Sequence, residues 1–495
     1  MKTMKSLLAL LLVLVMVAGC FAGCAPKDEY PVVTWYLMSS ANNTRDLEAV
    51  SEAANKIFRE KLGLEVKFYF LEGTNFAEKM NVMMNSGEEL DIMAGGAYAG
   101  TAFETAFRTG ALLALDDLLE KYGTDIMKKN DSRVWESVTR GGKIYAIPSQ
   151  MPWASGNILS WRKDLVDKYK IDIDSVKTMD DLEPILAMIK EKEPDVIPFY
   201  GINVPDAPVE DFASSAHVGK GSPVVDDLIT FNYTSGKFES WFQQEEVIEV
   251  YEQAHDFYKK GYSPADALAR NEAGTEYKSG DYFCFSVTSE FTGGSKSTGI
   301  VGYDCYESLL SYEEIRTSSM NEVCTYISAT SKQPENAMKV INLVWSDPAL
   351  LNLLAYGIEG TNYTVTGTDH NGNPSVQPKS GDEQRWAVFH NFWGPLWDQW
   401  DSPWNSTEAL EAMREANVSS PTSKLLGFSF DQEPVKTQMA ELLAIQAEVL
   451  PVLETGTMED FDAYIKDVNT RLEKAGIKDV IAEAERQYNE WLKVK

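Results

Sequence analysis

Two periodicities interleave along the chain. Residues 32–37 and 64–71 are short apolar runs that predict strands, and 45–62 between them has the three-to-four-residue apolar spacing of an amphipathic helix. A helix over 76–85 and a short strand around 91–94 continue the series. Alternation of this kind predicts β-α-β units and a largely parallel sheet. Leu112, Leu115, Leu118 and Leu119 predict a further helix that ends near Gly123. Gly141-Gly142 reads as a turn before a strand that Pro148 stops. Farther on, 180–192 and 247–260 predict helices, 282–287 a buried strand, and Pro334 the first residue of a helix reaching Trp345. Residues 363–376, with Asn371-Gly372 inside, predict a hairpin. From Asp431 onward three helices follow, the second closed by Gly476.

The first residues follow a different pattern. Lys2 and Lys5 precede an unbroken apolar run over 7–17, then Ala18-Gly19-Cys20. The run is too short to span a bilayer, which takes about 20 residues. A basic start, an apolar stretch and small residues before a cut site describe a secretory signal, here 1–19. A cysteine directly after Ala-Gly reads as a bacterial lipobox, with Cys20 carrying the diacylglycerol and Cys24 the alternative. Two acyl chains anchor firmly. Residues 20–31 then read as a polar tether, with the body outside the membrane on the extracellular face.

Length and charge narrow the picture further. At 495 residues the chain exceeds one ordinary core and predicts at least two lobes. A formal charge of −30 disfavours nucleic acid and anionic lipid surfaces as partners. Cys284, Cys305 and Cys324 lack CxxC spacing, which gives neither a disulfide framework nor a zinc site; buried thiols are the favoured reading and one bridged pair the alternative.

Several ordered segments carry a resemblance. Gly110-Ala111-Leu112-Leu113-Ala114-Leu115-Asp116-Asp117-Leu118-Leu119, Gly142-Lys143-Ile144-Tyr145-Ala146-Ile147-Pro148 and Trp161-Arg162-Lys163-Asp164-Leu165 resemble segments of extracellular solute-binding lipoproteins of ABC importers. Tyr356-Gly357-Ile358-Glu359-Gly360-Thr361-Asn362-Tyr363, Gly427-Phe428-Ser429-Phe430-Asp431 and Leu472-Glu473-Lys474-Ala475-Gly476-Ile477 are similar to a Firmicute-type subfamily with a C-terminal domain of unknown function. The resemblance implies an α/β protein with the type 2 periplasmic-binding-protein fold: two α/β lobes, a hinge and an added helical C-terminal region. It implies lobe one over 30–146 plus 320–352 and lobe two over 147–319 plus 353–495, the latter including a family domain at 425–495. It further implies a monomer that delivers solute to permease subunits, without cofactor, metal or nucleic acid.

Carbohydrate is the leading ligand class by the same resemblance. Sugars stack their C–H faces on aromatic rings and need directional partners for their hydroxyls. Trp386, Trp393, Trp397, Trp400 and Trp404 crowd together, interleaved with His390, Asn391, Gln399 and Asn405. The competing reading is that these rings staple the C-terminal domain to lobe two. Strand ends face the ligand crevice in open α/β sheets, which makes Trp35 and Tyr36 candidates beside the loop 39–44, and Tyr98 after Gly95-Gly96. Trp153 after the first crossing and Glu290 after the strand over 282–287 are the lobe-two candidates, with Trp393 and Trp404 from the cluster. Glu359 is assigned to structure.

An enzyme is the rival class. A glycoside hydrolase needs two carboxylates at a set separation, but 75 acidic residues make such pairs uninformative. Neither a Gly-x-Ser-x-Gly elbow nor a His-Glu-x-x-His helix occurs. Asp369-x-Asn371-x-Asn373 has Pro374 and Ser380 where a calcium loop needs glycine and glutamate, so a hairpin turn is expected there. A surface glycan-capture or sensory lipoprotein is the other alternative.

Overall fold

Strand Val32–Met38 buries alternate residues, as a period of two requires. The structure, a computed structural model, describes residues 30–202, 208–270, 276–286, 291–403 and 405–494. Val32–Met38 pairs in parallel with Glu65–Leu71 on one side and Ile92–Gly95 on the other. Helix Leu47–Leu62 makes the first crossover. It buries Val50, Ala54 and Phe58 at four-residue spacing and stops at Gly63, whose φ of 66° terminates it in the left-handed conformation. Cys324–Ile327 then joins antiparallel to Ile92–Gly95, and Ile147–Pro148 closes the five-stranded sheet.

The second sheet is mixed. Its order is Cys305–Tyr312, Gly156–Arg162, Tyr282–Phe285, Ile197–Phe199, and Gly156–Arg162 lies antiparallel to both of its neighbours. A small antiparallel sheet of Gly221–Val225, Ile229–Asn232 and Lys237–Ser240 adjoins it. Helices Lys436–Thr455, Phe461–Lys474 and Ile477–Trp491 bury Leu442, Leu453, Val468 and Val480 in this second core. A mixed α/β architecture with a helical C-terminal region results.

The chain passes from the first sheet to the second between Ile147–Pro148 and Gly156–Arg162 and returns between Cys305–Tyr312 and Cys324–Ile327. Residues 354–393 pack into the first core and the chain joins the second core at Leu425, whereas the sequence predicts all of 353–495 in lobe two. The tryptophans are the cause. Trp386 meets Phe70 edge-on at 5.7 Å and donates its indole N–H to the Leu354 carbonyl at 2.9 Å. Trp393 meets Trp35 at 5.4 Å and Phe68 at 5.9 Å. Gly394, at φ 102°, lets the chain press on Trp345; a Cβ there would lie 2.4 Å from the indole nitrogen. These two rings staple the segment to lobe one.

The hairpin forms as Tyr363–Thr368 and Pro374–Pro378, and Asp369 accepts the backbone N–H groups of Asn371 at 2.9 Å and Asn373 at 2.7 Å. Cys284, Cys305 and Cys324 are buried free thiols. Among the described residues no helix is long and apolar enough to cross a membrane.

Candidate functional site

The loop after Ile92–Gly95 is shaped by two backbone constraints. Gly96 has φ 101°, and a Cβ there would lie 2.1 Å from the Glu322 carbonyl oxygen, so only glycine fits against the second crossing. Its N–H donates to the Tyr326 hydroxyl at 2.9 Å, and the Tyr98 N–H donates to Glu322 O at 3.1 Å. Tyr98 is thereby held outward, 48% exposed, and stacks on Phe389 with ring centroids 4.4 Å apart and planes within 9°.

Phe389 lines a cavity of 430 Å³ together with Asn43, Gln384, His390, Asn391 and Asn405. Amide groups both donate and accept, which suits a hydroxyl-rich ligand. His390 Nδ1 lies 2.7 Å from Asn405 Nδ2, and Asn405 N–H donates to Ser402 Oγ at 3.1 Å. Burial lowers the His390 pKa to about 4, so the ring is neutral at ordinary pH and the cavity gains no cation from it. Its Nδ1 is then the acceptor of the Asn405 amide proton.

A second cavity, of 760 Å³, spans from lobe two to the helix Thr407–Ser419, with Phe291, Thr292 and Lys296 on one side and Pro403, Ser406 and Glu408 on the other. The lobe-two wall is held by buried Glu307. Its carboxylate accepts from Thr292 N at 2.8 Å, Thr292 Oγ1 at 3.1 Å, Ser297 N at 3.3 Å and Ser297 Oγ at 2.6 Å. Asn405 lines the first cavity, and Pro403 and Ser406 line the second.

Of the sequence-predicted residues, Tyr98 stacks on Phe389, which lines the first cavity. Trp35, Trp393 and Trp153, with exposures of 0%, 1% and 4%, present no ring face to a solute here. Trp35 points to the packed side of its strand, Trp393 covers it, and Trp153 is fixed by its backbone N–H donating to Asn417 Oδ1 at 2.7 Å. Tyr36 is half-buried on the opposite face, stacked on Tyr69 at 4.7 Å. Cys20, Cys24, Glu290 and Trp404 lie outside the described residues. Phe389, Asn43 and Gln384 were not singled out from sequence. The strand-end rule pointed to the Asn43 loop, whereas nothing local marks Phe389 as the partner of Tyr98.

One cluster elsewhere has the connectivity of a nucleophilic relay: Glu246 Oε1 lies 2.8 Å from His217 Nδ1, and His217 Nε2 lies 2.7 Å from Thr230 Oγ1. Thr230 is fully buried and the adjoining cavity is only 40 Å³, too small for an organic substrate, so the relay staples a helix to a sheet. Among the described residues no group of three or more His, Cys, Asp or Glu could hold a metal ion.

Residues 40–280 match the family described as bacterial extracellular solute-binding protein, and 424–493 match a domain of unknown function, DUF3502. A carbohydrate ABC transporter substrate-binding protein of Streptococcus pneumoniae serotype 4 is 28% identical over 478 residues, 95% of this chain and 93% of that protein. The crystal structure of the N-glycan transport solute binding protein NgtS from Streptococcus pneumoniae is similar with TM-score 0.73 at 26% identity, covering 94% of this chain and 99% of that one. Its complex with Man5GlcNAc gives TM-score 0.58 at 26% identity and the same coverage.

Proposed function

We propose that this chain works as a bacterial extracellular solute-binding protein, the family its residues 40–280 match. It captures an oligosaccharide in the crevice beside Tyr98 and Phe389 and delivers it to the membrane subunits of an ABC permease. The carrying observation is the exposed Tyr98 ring, stacked on Phe389 at the edge of an amide-lined cavity, in a chain similar over 94% of its length to a glycan-binding protein. Tyr98 and Phe389 offer the face on which a pyranose lies, while Asn43, Asn391, Asn405 and Gln384 meet its hydroxyls. Oligosaccharides with mannose and N-acetylglucosamine units are the first class to try, because NgtS is complexed with Man5GlcNAc.

In this reading the ligand is bound and released unchanged. The body is exported and held at the outer membrane face through a diacylglycerol on Cys20, a role the lipobox supports, and acts as a monomer. A thermal-shift screen against mono-, oligosaccharides and peptides tests the ligand class. A binder present at 100 times its Kd adds about 2.7 kcal/mol of stability. Shifts with peptides and none with sugars would overturn the carbohydrate assignment. Turnover of a bound glycan would overturn the assignment as a binder. Loss of acyl labelling and release of a Cys20→Ala variant into the medium tests the anchor.

A further inference from the structure

Residues 424–431, which open the C-terminal domain, face both lobes at once. Leu425 and Phe428 are buried in the lobe-two core, while Leu426 between them is buried in the lobe-one core. The Gly427 N–H donates to Thr317 Oγ1 on the second crossing at 2.8 Å. At φ 90°, a Cβ on Gly427 would lie 3.2 Å from the Glu136 carbonyl oxygen of lobe one and 3.5 Å from Trp491 on the last helix. The chain is thus threaded between lobe one and the C-terminal helices at a point where glycine alone fits without strain.

Asp431 completes the bridge. Its backbone N–H donates to Gln487 Oε1 and its carbonyl accepts from Gln487 Nε2, both at 2.8 Å, which fixes it to the last helix. Its carboxylate pairs with the Arg108 guanidinium of lobe one. Arg108 is the final residue of helix Phe103–Arg108, and that helix starts directly after the loop 96–102 that carries Tyr98. One short helix therefore joins the charge pair to the aromatic platform.

We propose that the C-terminal domain is a coupling element between the lobes, which acts through segment 424–431 and the Arg108–Asp431 pair on the loop that presents Tyr98. The effect on ligand rests on the reading of this crevice as the binding site; the coupling itself does not. Both partners of the pair are partly exposed, so the pair tunes the loop and does not lock it. Exposed pairs of this kind change an equilibrium by up to about five-fold.

Charge reversal tests this in the full chain. Arg108→Asp and Asp431→Arg are each expected to speed amide exchange several-fold over 96–108 and over 424–431, and the double reversal is expected to restore both. Affinity for Man5GlcNAc should change two- to five-fold in each single variant and return in the double, with the effect shrinking at high salt. Unchanged exchange over 96–102 in both single variants, or a double variant no closer to the parent than the singles, would overturn the coupling. If the parent protein binds no glycan, the ligand reading fails and the exchange measurements still decide the coupling.

Discussion

At the scale of the residue, exposure separates rings that can bind from rings that hold the fold. Tyr98→Ala removes a half-exposed ring whose packing is its stack on Phe389 and an edge contact with Phe392. Aromatic contacts of this kind contribute about 0.5–1.5 kcal/mol beyond area, so glycan affinity should fall about two- to ten-fold with the melting temperature nearly unchanged. Trp393→Ala removes a ring packed against Trp35 and Phe68. Truncating a buried aromatic costs about 3–5 kcal/mol, so this variant should lose stability first, as a denaturant titration will register. His390 behaves differently again. Burial holds its pKa near 4, below the usual value of about 6.5. The unfolded chain therefore binds the proton more readily, and stability falls as pH drops from about 6.5 toward 4. His390→Gln should flatten the melting-temperature profile over that interval; an unchanged slope would place the acid sensitivity elsewhere.

At the scale of the element, helix Lys436–Thr455 ends on an unusual feature. Buried Glu454 has its carboxyl pushed well above the ordinary value, first by desolvation and then by the charges of Glu210 and Asp227. A raised carboxyl contributes stability while protonated and loses it as pH rises. Glu454→Gln keeps the shape without the charge, so it should raise the melting temperature at pH 8 and do little at pH 4.5. A gain of equal size at both values would contradict ionisation as the cause. Elements were legible in sequence wherever packing is local. The strand–helix–strand unit from Val32 to Leu71 and the helix from Pro334 announce themselves through period and caps, and Gly476 ends the penultimate helix as its φ of 91° requires. Gly156–Arg162 did not. Its first six residues are all buried, so the alternation that marks a strand is absent, and only its partners on both sides define it. Cys305–Tyr312, the edge strand beside it, went unread for the same long-range reason.

At the scale of the whole molecule, lobe membership depends on contacts hundreds of residues apart. The stretch carrying Trp386 and Trp393 returns to strands at Trp35, Phe68 and Phe70, and no local signal distinguishes that from docking on lobe two. The same return brings Phe389 to Tyr98 and so builds the candidate site, which is why the strand-end rule found half of the aromatic pair and missed the other half. Calorimetric titration of the purified chain with Man5GlcNAc and related oligosaccharides tests whether this crevice takes up an oligosaccharide. Saturable one-to-one binding that weakens in Tyr98→Ala is expected. Absence of heat with every oligosaccharide tried, or binding of equal strength in the parent and in Tyr98→Ala, would contradict it.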